Sequence, residues 1–125
     1  MIIHQRTMKI IATAFANGST HDFRLFKESR TVLACQVLCL ADAGYQGLAD
    51  LHANSQTPKK KSKHHPLTPA QKAYNRELAC QRIFVEHAIR KVKIFRILSE
   101  RYRNRRKRFG LRFNLIASLY NLELK

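Results

Sequence analysis

Between Pro69 and Leu98 no further glycine or proline interrupts the chain. That uninterrupted stretch limits the possible architectures more than any other feature. It reads as one long helix, with Thr68 as its N-cap and Pro69 at the first helical position, where a missing N–H costs nothing. Ile83, Phe84, Ala88, Val92 and Phe95 fall at helical spacing and are expected to face a core. Arg82, Glu86, Arg90 and Lys93 fall on a neighbouring stripe, because steps of three and four residues stack on one face. Glu86 is therefore a carboxylate at the edge of the buried face, surrounded by cations.

A single long helix needs something to pack against, and the preceding sequence offers strands. Lys9 to Ala16 is rich in β-branched and aromatic residues and ends at Asn17-Gly18, the pattern of a strand closed by a turn. Ser19 or Thr20 then caps a short helix beginning near His21-Asp22, with Phe23, Leu25 and Phe26 on its apolar side. Val32 to Leu40 is nearly all apolar, which predicts a strand buried on both faces, as in parallel or mixed sheets. It runs into Asp42, followed by Gly44 and Gly47. A carboxylate at the end of a buried strand is a common active-site layout in α/β folds, and it is equally a helix cap. Residues 53–66 form a basic loop. Residues 99–110 form a second basic linker, dense in arginine. Beyond it Phe113, Ile116, Leu119 and Tyr120 predict a terminal helix docked on the core. The fold class is thus α/β: a mixed sheet with a long helix and a further terminal helix.

Charge points to the partner. Lys and Arg number 24 against 8 Asp and Glu, a net of +16 over 125 residues. Such an excess repels itself in a compact body, and binding a polyanion through phosphate contacts accounts for it. An anionic membrane surface is the rival, but the charge is concentrated before the terminal helix rather than along its polar face. No apolar run reaches the ~18 residues of a membrane span. The three cysteines, Cys35, Cys39 and Cys80, have neither metal-knuckle spacing nor an even count. A reducing cytoplasm without disulfides suits them.

Three chemistries are open to these residues. Asp42 and Glu86 are plausible oxygen donors to divalent cations, and phosphodiester chemistry uses two Mg²⁺ ions bridged by such carboxylates. Cys80 and His87 lie two helical turns apart with no third group to orient them. Simple nucleic-acid binding needs only the charge, and Tyr45, Tyr74 and Tyr102 are available either for base stacking or for ordinary packing.

Several strings together resemble the DDE-type bacterial insertion-sequence transposases. They are Thr20-His21-Asp22-Phe23-Arg24-Leu25-Phe26-Lys27, Leu40-Ala41-Asp42-Ala43-Gly44-Tyr45-Gln46-Gly47, the stretch Arg82 to Leu98, and the tail from Tyr102 to Ile116. They follow one another in the family's order across nearly the whole chain. In that family the aspartate of the second string is the second catalytic acid, at the end of a strand in an RNase H-like sheet. The final glutamate sits in a signature of Tyr, two residues, Arg, three residues, Glu, six residues, Lys. Arg82, Glu86 and Lys93 match it, and Ala79 stands at the tyrosine position.

The resemblance implies that Asp42 and Glu86 are catalytic and hold metal, Mg²⁺ or Mn²⁺, in a two-ion site. It implies that Lys93 contacts DNA phosphate and that Arg82 steers Glu86 or the DNA backbone. Arg101, Arg103, Arg105 and Arg106 would add phosphate contacts. The implied reaction is DNA strand cleavage and transfer at insertion-sequence ends, with DNA as partner and a second copy or an upstream-encoded transposase half beside it. The family's first aspartate has no counterpart, since no acidic residue precedes Asp22 and Asp22 belongs to the later His-Asp string. Residues 1–125 therefore read as a single truncated catalytic domain, a partial RNase H-like fold with impaired activity. The alternative is a catalytically inactive DNA-binding remnant.

Overall fold

The computed structural model describes residues 1–103 and 106–124. It is a mixed α/β arrangement with two sheets of two strands each. It divides into two compact units, one of Met1–Phe15 with Phe84–Lys125 and one of Ala16–Ile83.

In the first unit β1 (Ile2–Ile3) pairs antiparallel with β2 (Ile10–Ala12). The connection closes through His4 N–H donating to the Lys9 carbonyl and Met8 N–H donating to the His4 carbonyl. Met8 takes φ +61° there, a conformation uncommon for a residue with a Cβ. The predicted strand Lys9–Ala16 is thus shortened to three residues, and β1 had no strand signal of its own. Asn121 supplies what a neighbouring strand otherwise would. Its Oδ1 accepts from Ile10 N–H at 2.8 Å and its Nδ2 donates to the Ile10 carbonyl at 2.8 Å. Around this clamp Ile10, Ala88, Val92, Ile116, Ala117 and Tyr120 form the unit's core, with Ile97 and Leu98 packed against it.

The second unit holds α1 (Asp22–Glu28), β3 (Cys39–Leu40), a 3₁₀ turn (Ala43–Tyr45), α2 (Leu48–Leu51) and β4 (Ser55–Gln56). His21, rather than Ser19 or Thr20, caps α1, its ring accepting from Phe23 N–H. β3 and β4 run parallel, Cys39 opposite Ser55 and Leu40 opposite Gln56. Val32–Leu40 is not the buried strand its composition predicts: only its last two residues pair, and Val32 is 91% exposed. An apolar run becomes a strand only where a partner edge meets it, and β4 offers just two residues. Ahead of β3 the backbone is served by local bonds instead, Val37 N–H to the Ala34 carbonyl and Asn54 Nδ2 to the Gln36 carbonyl. Leu48 and Leu78 are the fully buried side chains, at 1% and 2% exposure. His52, also buried, donates from Nε2 to the Val37 carbonyl at 2.6 Å.

Helix α3 (Pro69–Val92) begins as expected. Thr68 Oγ1 accepts from Gln71 N–H while Gln71 Oε1 accepts from Thr68 N–H, a reciprocal capping box that satisfies two otherwise orphaned donors. It stops six residues before Leu98, although no glycine or proline breaks it. Its end tightens into three-residue bonds, Ile94 N–H to Lys91 and Phe95 N–H to Val92. The chain then turns into α4 (Arg96–Ser99). Turning there lets Ile97 and Leu98 reach the first unit's core, so packing overrides propensity. Of the predicted apolar stripe Ala88 and Val92 are buried, whereas Ile83, Phe84 and Phe95 are exposed. Helical spacing says which residues share a face, not how much of that face is covered. The terminal helix α5 (Phe109–Glu123) buries Ile116, Ala117 and Tyr120 and leaves Leu119 exposed.

Candidate active site

Asp42 lies two residues past Leu40, the last residue of β3, so the end of a parallel strand delivers its carboxylate. Both readings of this residue are realised together. It caps the 3₁₀ turn, Oδ1 accepting from Ala43 N–H, and its side chain is 63% exposed. Arg82 from α3 brings Nη1 to 3.9 Å from the same oxygen. An ion pair at that distance with one open partner contributes at most ~1 kcal/mol. Its consequence is orientation: Arg82 is mostly covered and holds positive charge beside the carboxylate. Among the described residues Oδ2 of Asp42 has no hydrogen bond or ion pair and is open to a ligand.

Two residues that the sequence left without a role at the site, Tyr45 and Asp22, lie in the surroundings of Asp42. Tyr45 lies at the end of the 3₁₀ turn, its ring edge-on to Phe23 and Phe26 at 6.2 Å each. Burial pushes its phenol up from the ordinary value; the charges of Asp22 and Asp42 add to this and Arg82 opposes it. Asp22, Asp42 and Arg82 thus all act on one half-buried phenol. The signal was present in the two strings carrying Asp22 and Tyr45, but their proximity depends on tertiary structure. Tyr45 and Tyr102 are packing residues rather than free stacking platforms. Tyr102 sits edge-on to Phe109 at 4.9 Å, and its hydroxyl accepts from Arg112.

The other candidate residues belong to the first unit. Glu86 is an exposed residue of α3 and enters no ion pair among the described residues. Lys93 is exposed just past the end of α3, with its N–H on the Ile89 carbonyl. Arg101 and Arg103 are exposed, and Arg106 is exposed in a 3₁₀ turn ahead of α5. Arg105 lies outside the described residues.

Among the described residues no three His, Cys, Asp or Glu side chains gather at one place, and this includes Cys35 and Cys39. Asp42 fits a hard divalent cation as one donor, being an exposed carboxylate with a free oxygen. A cavity of about 370 Å³ in the second unit is lined by Phe26, Arg30, Leu33, Leu51 and His52, and Asp42 is not part of its lining. No described helix is long and apolar enough to cross a membrane.

A family model described as DDE superfamily endonuclease matches residues 1–121. A probable transposase for insertion sequence element IS702, from Microchaete diplosiphon, is 52% identical over 124 residues, which is 99% of this chain. The chain spans 45% of that relative's length. No solved structure matches it significantly.

Proposed function

Since the chain belongs to the DDE superfamily endonucleases, among the insertion-sequence transposases, we propose that it carries the second and third carboxylates of a metal-dependent DNA cleavage and strand-transfer centre. Asp42 is the second and Glu86 the third. The observation that carries this reading is Asp42 itself, delivered by the end of a parallel strand, open on one oxygen and flanked by Arg82. The parallel pair β3–β4 supports an RNase H-like plan for the sheet. When bound, a pair of Mg²⁺ or Mn²⁺ ions activates the attacking oxygen and stabilises the leaving one. The chain's own part is to present carboxylate oxygen, hold Asp42 in place through the Ala43 amide and Arg82, and bind the DNA backbone. Lys93, Arg101, Arg103, Arg105 and Arg106 serve the last role.

The first carboxylate is not among these residues, because no acid precedes Asp22 and Asp22 lies in the string after the first catalytic strand. Residues 1–125 alone should therefore bind DNA and cleave it poorly. A polypeptide or second chain supplying that aspartate should restore cleavage and joining. A second reading, a DNA-binding remnant without chemistry, rests on the net charge of +16, which serves phosphate binding without any metal centre. The test joins this chain to the product of the DNA just upstream of its Met1 codon. The joined protein is then assayed for Mg²⁺-dependent nicking and joining of element ends. Asp42→Asn and Glu86→Gln should each lower the rate by at least about a thousandfold while leaving DNA affinity intact. Undiminished activity in either variant removes that residue from the centre. No activity in the joined protein leaves the remnant as the function.

A further inference from the structure

Between Asp50 and Glu77 the chain carries six cations, Lys59, Lys60, Lys61, Lys63, Lys72 and Arg76, and no acid. Four of the six crowd into the loop after β4, where composition suggests a mobile segment. The structure instead pins the base of that loop. Asn75 of α3 grips the Lys59 peptide from both sides, Oδ1 accepting from Lys59 N–H at 2.8 Å and Nδ2 donating to its carbonyl at 2.9 Å. Gln46, at the end of the turn that Asp42 opens, donates from Nε2 to the Pro58 carbonyl at 2.9 Å. Ser62 N–H donates to the His65 carbonyl and closes a tight turn at the tip. The Thr68–Gln71 capping box fixes the exit.

Lys59, Lys60, Lys61 and Lys63 are all exposed, and none enters an ion pair among the described residues. Lys72 lies three residues before Asn75 and so on the same side of α3. Unneutralised ammonium groups held together on an anchored backbone form a site for a repeating anion. Lysine acts there as a point charge and reads no base. An anionic membrane fits less well, because Lys59–His65 offers no apolar side chain to insert beside the charges.

We propose that the Lys59–Lys63 loop is a second DNA-backbone site, in a different stretch of the chain from the arginine-rich tail and tethered through Gln46 to the turn bearing Asp42. This rests on the reading of the chain as a DNA-handling protein. Its contribution is sequence-independent grip, not recognition of the element's ends.

The test measures the 125-residue chain on two duplexes of unrelated sequence, following affinity against KCl concentration. Each phosphate contact contributes ~0.9 to the slope of log K against log salt. Lys60→Gln/Lys61→Gln/Lys63→Gln should lower that slope by about 2–3 and weaken both duplexes alike. Asn75→Ala keeps every charge and should weaken binding several-fold with the slope nearly unchanged. A control, Arg24→Gln/Lys27→Gln/Arg30→Gln, removes three cations from the region of α1 and should change the slope much less. Equal losses in the control and the loop variant would mean bulk charge only, and would overturn the site. So would an unchanged slope in the loop variant while the parent binds. A parent chain that binds neither duplex refutes the DNA reading itself.

Discussion

Two asparagines do similar work in different places. Asn121 grips the Ile10 peptide as Asn75 grips the Lys59 peptide, each side-chain amide standing in for a strand's N–H and carbonyl. The first grip is half-buried and joins β2 to α5, so breaking it leaves two backbone groups short of partners. Such a loss costs about 1–3 kcal/mol for a covered group. Asn121→Ala should therefore lower stability by ~2 kcal/mol, whereas Asn75→Ala, whose partner is the exposed Lys59 peptide, should cost much less and show mainly in DNA affinity. Denaturant melts of both variants check the ordering, and equal losses would contradict it. Tyr45 adds a pH dependence. Its folded phenol is raised by burial and by Asp22 and Asp42, so the folded state favours the neutral form. The stability this represents is intact below the ordinary phenol value and is lost as pH rises past it toward the folded value. Tyr45→Phe should flatten the alkaline fall in stability, and the difference between parent and variant melts at rising pH measures it. Cys39 follows the same logic. Burial pushes its thiol up, so a thiol reagent at mildly alkaline pH should modify the exposed Cys35 and Cys80 first.

At the scale of elements, the features legible in the sequence are those whose cause is local. The start of α3 was legible because Thr68 and Pro69 are adjacent, and the bonds of Thr68 with Gln71 close the same local cap. The terminal helix was legible for a similar reason, its buried line Ile116 and Tyr120 lying one turn apart. The fate of Val32–Leu40 was not, because a strand is made by its partner, and β4 meets only Cys39 and Leu40. Nor was the early end of α3, which reflects the burial of Ile97 and Leu98 rather than any breaker residue. The candidate site divides the same way. Asp42 stood out by its motif, while its contact with Arg82 and its neighbourhood with Asp22 and Tyr45 depend on folding. Burial then ranks the elements' apolar residues. Leu78, 2% exposed in α3, anchors the second unit, whereas Leu111 and Leu115 of α5 stand in solvent. Leu78→Ala should cost ~2–5 kcal/mol, and Leu111→Gln within ~0.5 kcal/mol. Thermal melts that reversed this order would mean that α5 packs through its leucines.

The whole molecule sets a conflict between folding and binding that salt should resolve in opposite directions. Its net charge is +16, and only three ion pairs form among the described residues, each with at least one largely exposed partner. Folding brings uncompensated cations together, so self-repulsion opposes the compact state. Salt screens that repulsion, with a Debye length of ~10 Å at 0.1 M. Raising KCl from about 50 to 200 mM should therefore raise Tm. The same salt removes the entropic gain of counterion release, and a protein making six or more phosphate contacts loses about a thousandfold in affinity over that range. Duplex DNA at low salt should stabilise the fold through mass action, and this gain should vanish at 200 mM just as the free chain becomes more stable. Melts with and without DNA at the two salt concentrations give all four values. If Tm of the free chain instead falls with KCl, attraction within the fold outweighs the repulsion. The charge excess would then be offset inside the protein, and DNA would no longer be needed to account for it.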